Sequence, residues 1–216
     1  PIRYAAMAEA GFFPRELLST FRKLHSPLQG HPSLVDFPMT ETSSGPLGQG
    51  ISQAVGMALI LKKEQPNTHI YCLISDGECQ EGQTWEALMM ASSYHLTNLT
   101  IIIDRNRIQI DGTTDSIVPG LEPLPAKLQA FGFNTLSIDG NTIRDIEEAI
   151  KDYTSWLQKL KESKQLKDKP LAIIANTVPG KGVSFMEHNY QWHGKAPTPE
   201  EGKLAIAELT TALNQL

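Results

Sequence analysis

Two short segments carry the side chains best suited to chemistry in this sequence. Asp76 and Gly77 follow one apolar run typical of a buried β-strand, and Asn106 follows the next such run. Asn106 comes about 30 residues after Asp76, a separation that suits one β-α-β unit. Because the carboxyl ends of parallel strands meet at one edge of a sheet, we expect Asp76 and Asn106 to converge there.

These residue types point to a metal ion and a phosphate group. Carboxylate and amide oxygens are hard ligands that suit Mg²⁺ or Ca²⁺. Gly77 removes a side chain where a phosphate must approach closely, and the N-terminus of the following helix offers backbone N–H groups to an anion. An Asp-Gly turn and an Asn in a loop are also common without any ligand. On these residues alone, a metal–diphosphate site and a plain turn both remain open.

The common nucleotide-binding motifs are absent from the sequence. It contains no GxxxxGK[ST] segment, and no GxGxxG segment opens a helix. The metal–diphosphate hypothesis therefore concerns neither a P-loop nor a dinucleotide-binding fingerprint.

Helical and strand patterns alternate along the chain. We predict strands at 69–75, 99–104, 133–139 and 171–178, and helices at 14–24, 48–63, 83–94 and from residue 143 onward. This alternation predicts an α/β fold with a doubly wound, mainly parallel sheet and helices on both faces. Residues 25–50 form a long loop rich in Pro, Gly and Ser, a length that usually serves function. No linker or repeat is visible, so we expect one domain over residues 1–216.

Bulk composition argues against several classes of protein. The chain has 216 residues and a net charge of −5, which argues against nucleic acid as a partner. No apolar stretch is long enough to span a membrane and no signal peptide is visible, so we expect no membrane partner and a cytoplasmic location. Cys72 and Cys79 belong to no CxxC motif or Cys/His cluster, which argues against a zinc site and a disulfide scaffold. Cys79, three residues after Asp76, is a candidate reactive thiol.

Several motifs, taken in order, resemble the thiamine-diphosphate-binding domain of transketolases. They are "QGHPSL", "SSGPLGQGISQAVGMA", "SDGECQEG…DRNRIQIDG" and "GKGVSFMEHNYQWHGK", which together cover about residues 26–195. The likeness is greatest to the N-terminal subunit of split transketolases, in which the two catalytic halves are separate chains. It implies the thiamine-diphosphate-binding fold.

The resemblance implies a set of cofactor-binding residues, named by their positions in the matched motifs. They are Gly45, Pro46, Leu47, Asp76, Gly77, Glu78, Asn106, Ile108 and His193. Asp76, Asn106 and the backbone carbonyl of Ile108 would hold Mg²⁺ or Ca²⁺, and Gly77 would lie against the diphosphate of thiamine diphosphate. The segment 45–47 would line the ring region of the cofactor.

The resemblance also implies catalytic residues. His31 and His193 would face the sugar substrate, where an imidazole that titrates near neutrality can move hydroxyl protons. Glu81 would lie at a contact between chains, beside the cofactor-activating glutamate of a neighbouring domain. Both histidines occur in Gly- and Pro-rich loops, and only their place in the matched motifs distinguishes them from ordinary exposed histidines.

The sequence departs from the family pattern at three places. Ser75 replaces the first Gly of the GDG motif, a change we expect to be tolerated if its φ is negative. Pro179 stands where many relatives carry Lys. The sequence starts abruptly within an amphipathic pattern and without an initiator Met, so we expect an upstream N-terminal segment, which carries further histidines in relatives, to be missing.

The implied function is the diphosphate-binding half of a transketolase, which transfers a two-carbon ketol unit between sugar phosphates. One alternative is another thiamine-diphosphate enzyme, such as a deoxyxylulose-phosphate synthase or the first component of a dehydrogenase. The other alternative is a non-catalytic assembly or regulatory protein derived from this fold.

Two predicted helices indicate a protein partner. Residues 51–61 and 84–96 are apolar around most of the helix, whereas a surface helix shows a single apolar stripe. One sheet can cover only one side of each helix, so the other sides need more protein. With the resemblance, this predicts a hetero-oligomer with a C-terminal-half transketolase subunit that carries the pyrimidine-binding domain, in two copies of each chain, with Glu81 near the contact.

Overall fold

The structure, a computed structural model, describes residues 2–163 and 169–214. Its strands are β1 (Ile70–Ser75), β2 (Leu99–Arg105), β3 (Ile108–Gln109), β4 (Gly112–Thr113), β5 (Asn134–Asp139) and β6 (Leu171–Asn176). Strands β1, β2, β6 and β5 form, in that spatial order, a four-stranded sheet in which every pair is parallel. Strands β3 and β4 form a small antiparallel pair directly after β2.

The helices alternate with these strands along the chain. They are α1 (Ile2–Glu9), α2 (Gln49–Glu64), α3 (Gly82–Ser93), α4 (Thr114–Ile117), α5 (Leu124–Ala130), α6 (Ile143–Ser163) and α7 (Pro199–Leu213). Short 3₁₀ turns cover Arg15–Thr20, Gly77–Gln80, Pro119–Leu121 and Tyr190–Trp192. Among the described residues, none of the helices combines the length and the apolar character that a bilayer crossing requires.

Helices cover both faces of the sheet, as the sequence predicts. On one face, α2, α3 and α5 bury a cluster that includes Ile101 and Ile103 of β2. On the other face, Ala149 and Tyr153 of α6 pack against β6. Strand β2 is buried along nearly its whole length because it lies between two strands and between two layers.

The predicted helix at 14–24 is wrong, because this segment forms only the 3₁₀ turn Arg15–Thr20. The backbone of Phe21 leaves the helical region (φ −48°, ψ 126°), and the Thr20 hydroxyl donates to the Leu17 carbonyl. The apolar residues that imitate a helical stripe, among them Leu17 and Phe21, instead pack on a second small core. The predicted strand at 171–178 ends two positions early, at Asn176.

That second core fixes the long loop between residues 21 and 48. Its buried members are Tyr4, Ala8, Phe13, Leu28 and Phe37. The rings of Phe13 and Phe37 meet edge to face at 5.1 Å, and the Tyr4 hydroxyl donates to the Gln29 carbonyl at 3.0 Å. The loop is therefore anchored on both sides of His31, although it contains no regular helix or strand.

The outer sides of α2 and α3 are not covered by the described parts of the chain. The buried positions of the two helices are Ile51, Ala54, Val55, Ala58, Thr84, Ala87, Leu88 and Ala91. The exposed apolar ones include Met57, Ile60, Met89, Met90 and Tyr94. The structure thus agrees with the sequence that these helices have more apolar surface than the sheet can cover.

Adjacent residues on α3 provide a test of this arrangement. Leu88 is 1% exposed and Met89 is 51% exposed. Leu88→Ala should lower the free energy of unfolding by about 2–5 kcal/mol, because it leaves a cavity in the main core. The matched control Met89→Ala should change it by no more than about 0.5 kcal/mol. Urea denaturation measures both, and equal losses would contradict the exposure of this side of α3.

Cys79 is not a reactive thiol in this structure. Burial, with a smaller contribution from the Asp76 carboxylate, raises the pKa of Cys79 to about 12, and burial raises the pKa of Cys72 to about 11. Because the thiolate is the nucleophile, both cysteines should resist iodoacetamide near neutral pH in the native protein and react fully in guanidinium chloride. Mass spectrometry counts the adducts, and rapid native alkylation of Cys79 would contradict its burial.

Candidate functional site

Asp76 and Asn106 meet at the carboxyl edge of the sheet. Ser75, at the end of β1, is in register with Asp104 of β2, and the Asp76 N–H donates to the Asp104 carbonyl at 3.1 Å. Asp76 comes directly after β1, and Asn106 directly after β2. The spacing of one β-α-β unit therefore brings the two side chains to neighbouring strand ends, as predicted.

The two carboxylate oxygens of Asp76 have different surroundings. Oδ2 accepts hydrogen bonds from Arg105 Nη1 at 2.5 Å, from the Arg107 N–H at 2.9 Å and from the Thr114 hydroxyl at 3.3 Å. Oδ1 is buried and has no hydrogen-bond partner among the described residues. A buried charged oxygen without a partner is costly, and coordination to a cation would satisfy it.

The amide of Asn106 is oriented by its neighbours. Its Nδ2 donates to Asp104 Oδ2 at 3.3 Å, and its Oδ1 accepts from the Ile108 N–H at 3.0 Å. Asp104 is held in turn by the Thr177 hydroxyl. The amide oxygen therefore lies on the Ile108 side, where the carbonyl predicted to bind metal belongs to the same short segment.

These residues fit a hard divalent cation with few protein ligands. They offer the open carboxylate oxygen of Asp76 and an amide oxygen at Asn106, which suits an ion that keeps positions for water and phosphate. In the described parts of the chain, no group of three or more His, Cys, Asp or Glu side chains could hold a metal by itself. The residues present do not match a site of the zinc type.

Glu78 ties the loop before α2 to the turn after β1. Its carboxylate accepts from the Gly48 N–H at 3.1 Å and from the Ser75 N–H at 3.0 Å, and its own N–H donates to the Ser75 hydroxyl at 3.1 Å. Ser75 lies in extended strand and is not among the residues with positive φ, so the sequence change at this motif position costs no backbone strain. The cofactor-binding role implied for Glu78 stays a prediction, beside this structural one.

His31 packs directly against the loop predicted to line the cofactor ring. A Cβ added to Gly45 (φ +145°) would lie 2.5 Å from His31 Nδ1, so only glycine fits there. Gly48, with φ +75°, is similarly close to Glu81, because an added Cβ would lie 3.0 Å from the Glu81 Cβ. Pro46, Leu47, His31 and Glu81 are all exposed.

His193 shares a cavity with two of the predicted metal ligands. The cavity has a volume of about 340 Å³ and is lined by Asn106, Ile108, Pro179, Gly180, Met186, Trp192, His193, Lys195 and Pro197. Lys195 Nζ lies 4.0 Å from the centre of the Trp192 ring. His31, the segment 45–47 and Glu81 do not line this cavity. Glu81 lies instead beside Gly48, at the far end of the tie made by Glu78.

Arg105 and its acidic partners were missed by sequence reasoning. Arg105 is 1% exposed and forms ion pairs with Asp76, Asp115 and Glu122. Burial alone would lower the pKa of Arg105, but hydrogen bonds to these three carboxylates raise it above its usual range. The signal in the sequence was an arginine at the end of an otherwise apolar strand, since such a charge is rarely buried without a partner.

Comparison with known proteins agrees with this geometry. A family model described as "Transketolase, thiamine diphosphate binding domain" matches residues 3–211. One of the two subunits of the apulose-4-phosphate transketolase of Actinobacillus succinogenes is 40% identical over 206 residues, which are 95% of this chain and 70% of the relative. The 6-deoxy-6-sulfo-D-fructose transketolase subunit SqwG of a Clostridium species is 42% identical over 97% of this chain and 72% of its own length.

Solved structures show the same fold. The crystal structure of transketolase from Campylobacter jejuni superposes with a TM-score of 0.76 and 35% sequence identity. The match covers 90% of this chain but only 30% of the Campylobacter chain, so it spans less than a third of that enzyme. With its sheet edge, its motifs and its matched length, the chain belongs to the transketolase family, as a member of the thiamine diphosphate-binding domain.

Proposed function

We propose that this chain is the diphosphate-binding half of a transketolase that transfers a two-carbon ketol unit between sugar phosphates. The observation that carries the proposal is the unpartnered, buried Asp76 Oδ1 beside Asn106, in a chain of this family. In the proposal, Asp76, Asn106 and the Ile108 carbonyl hold Mg²⁺ or Ca²⁺, which anchors the diphosphate of thiamine diphosphate.

The backbone next to Asp76 leaves space for the diphosphate. A Cβ added to Gly77 would meet only the Ser75 hydroxyl, at 3.6 Å, so this position is open for a ligand to approach. The loop 45–47 lines the ring region of the cofactor and is held near the site by the bond from Gly48 to Glu78. In this role, Glu78 positions the loop.

The chain's own residues bind the substrate and move its protons. When bound, thiamine diphosphate supplies an electron sink for the transferred two-carbon unit. His193 lies in the cavity with Asn106, where its imidazole can exchange protons with a sugar hydroxyl. His31 serves the same purpose from the loop at Gly45. The cavity keeps a cation, Lys195, although Pro179 stands where many relatives carry Lys.

The partner in this proposal is a C-terminal-half transketolase subunit that carries the pyrimidine-binding domain. Two relatives are named as single subunits of apulose-4-phosphate transketolases, which supports a second chain. The exposed apolar sides of α2 and α3 begin beside the loop 45–48 and the turn after Asp76, so their cover would lie next to the cofactor. We propose two copies of each chain, with Glu81 near the contact.

Removal of the carboxylate tests the metal site. Asp76→Ala should abolish Mg²⁺-dependent binding of thiamine diphosphate, because a site with few protein ligands loses its charged one. Asp139→Ala is the matched control, since Asp139 also ends a parallel strand but lies on the edge strand β5 and is exposed. Calorimetric titration measures both, and equal affinity of the Asp76 variant and the parent would contradict the metal assignment.

Activity with and without a partner tests the function. The purified chain should be inactive in a transketolase assay and become active on adding the C-terminal-half subunit, with sedimentation showing a larger complex. Met90→Glu, on the exposed side of α3, should block both association and activity. Ile143→Glu, exposed on the opposite face of the sheet, should block neither. Full turnover by a monodisperse monomer would overturn the half-site proposal.

A panel of donor substrates in the same assay separates the related chemistries. Ketose phosphates should serve as donors and a 2-oxo acid should not, which is the pattern of a transketolase. Turnover of a 2-oxo acid instead would favour a dehydrogenase-type or synthase-type thiamine-diphosphate enzyme.

A further inference from the structure

Arg105 uses its whole hydrogen-bonding capacity inside the protein. A guanidinium has five N–H groups, and five hydrogen bonds leave this one. Nε and Nη2 donate to Glu122 Oε1 at 3.0 and 2.6 Å, and Nη2 also donates to Asp115 Oδ1 at 2.7 Å. Nη1 donates to Asp76 Oδ2 at 2.5 Å and to the Thr114 hydroxyl at 2.8 Å. The plane of the guanidinium is therefore fixed on all sides.

The fixed guanidinium in turn fixes the Asp76 carboxylate. Thr114 accepts from Arg105 and donates to the same Asp76 oxygen, Oδ2, so the two donors act on one atom. With the Arg107 N–H, Oδ2 receives three hydrogen bonds, while the buried Oδ1 receives none from the described residues. This division leaves one defined oxygen of the carboxylate available for a cation.

The charges around Arg105 still attract a cation. Three carboxylates, of Asp76, Asp115 and Glu122, contact Arg105, and Arg107 adds a second positive charge at 3.2 Å from Asp115. Two positive and three negative groups leave the cluster with one net negative charge. Arg105 therefore orients Asp76 without making the neighbourhood positive.

We propose that Arg105 is a positioning residue for the metal site, which holds Asp76 so that only Oδ1 binds the ion. The proposal depends on the metal site of the proposed function. It also gives Asp115 of α4 and Glu122, in the segment before α5, a part in metal binding, since they anchor the guanidinium from the side away from Asp76.

The test is the Mg²⁺ dependence of cofactor binding, well below the unfolding temperature of each variant. Thiamine diphosphate is titrated into the chain by calorimetry at a series of Mg²⁺ concentrations. Arg105→Met should raise the half-saturating Mg²⁺ concentration by about 10–100-fold, the usual effect of losing a residue that orients a metal ligand. Arg105→Lys keeps the charge but not the planar fork, and should recover part of this loss.

Arg107→Met is the matched control. It removes a guanidinium from the same cluster, but that side chain is 54% exposed and bonds only Asp115 among the described residues. Its half-saturating Mg²⁺ concentration should stay within about threefold of the parent, because exposed ion pairs contribute little. A purely structural role of Arg105 would lower the melting temperature and leave this concentration unchanged, which would overturn the proposal.

Two further outcomes separate the proposals from each other. If the parent shows no Mg²⁺-dependent binding of thiamine diphosphate, the metal site of the proposed function fails, and the role of Arg105 fails with it. If the parent binds and Arg105→Met stays within about threefold of it, as an exposed ion pair would, only the role of Arg105 fails. Should Arg105→Met not fold, Glu122→Gln weakens the anchor instead and should raise the half-saturating concentration severalfold. An unchanged value would overturn the proposal.

Discussion

The site depends on one constraint: a carboxylate fully buried at the end of a parallel strand must be given partners. Asp76 is 0% exposed, and Arg105 supplies the charge that compensates it. Without that partner, the desolvation of a carboxylate would cost several kcal/mol, on the order estimated for buried ions. The same interaction leaves one oxygen of Asp76 open, so the stability of the sheet edge and its capacity for a cation have a single origin.

Other parts of the fold transmit this order to the loops around the site. Asp104 and Arg105 are consecutive on β2, so they project to opposite faces of the sheet. One orients Asn106 and the other orients Asp76. Glu78 then connects the turn after Asp76 to Gly48, at the start of α2. The small aromatic core under the loop 21–48 completes the frame from the far side.

The same frame ends at surfaces that the described parts of the chain do not cover. Helices α2 and α3 turn buried small residues toward the sheet and exposed methionines outward, next to the loops of the candidate site. This explains how a stable domain can hold only half of a reaction centre: the sheet and the candidate metal ligands lie within the chain, while the apolar area beside them is suited to a second protein surface.

The sequence by itself determined the alternating order of strands and helices, the parallel sheet, and the meeting of Asp76 with Asn106, because these follow from local periodicity and from the spacing of one β-α-β unit. Its motifs also determined the family, which the comparisons confirm. Only the tertiary structure decided which oxygen of Asp76 is open, that Arg105 is its counter-ion, and that residues 14–24 form no α-helix. Each of these depends on side-chain contacts between segments far apart in the chain, such as Arg105 with Asp76 and Phe21 with the aromatic core, and local sequence patterns carry no record of them.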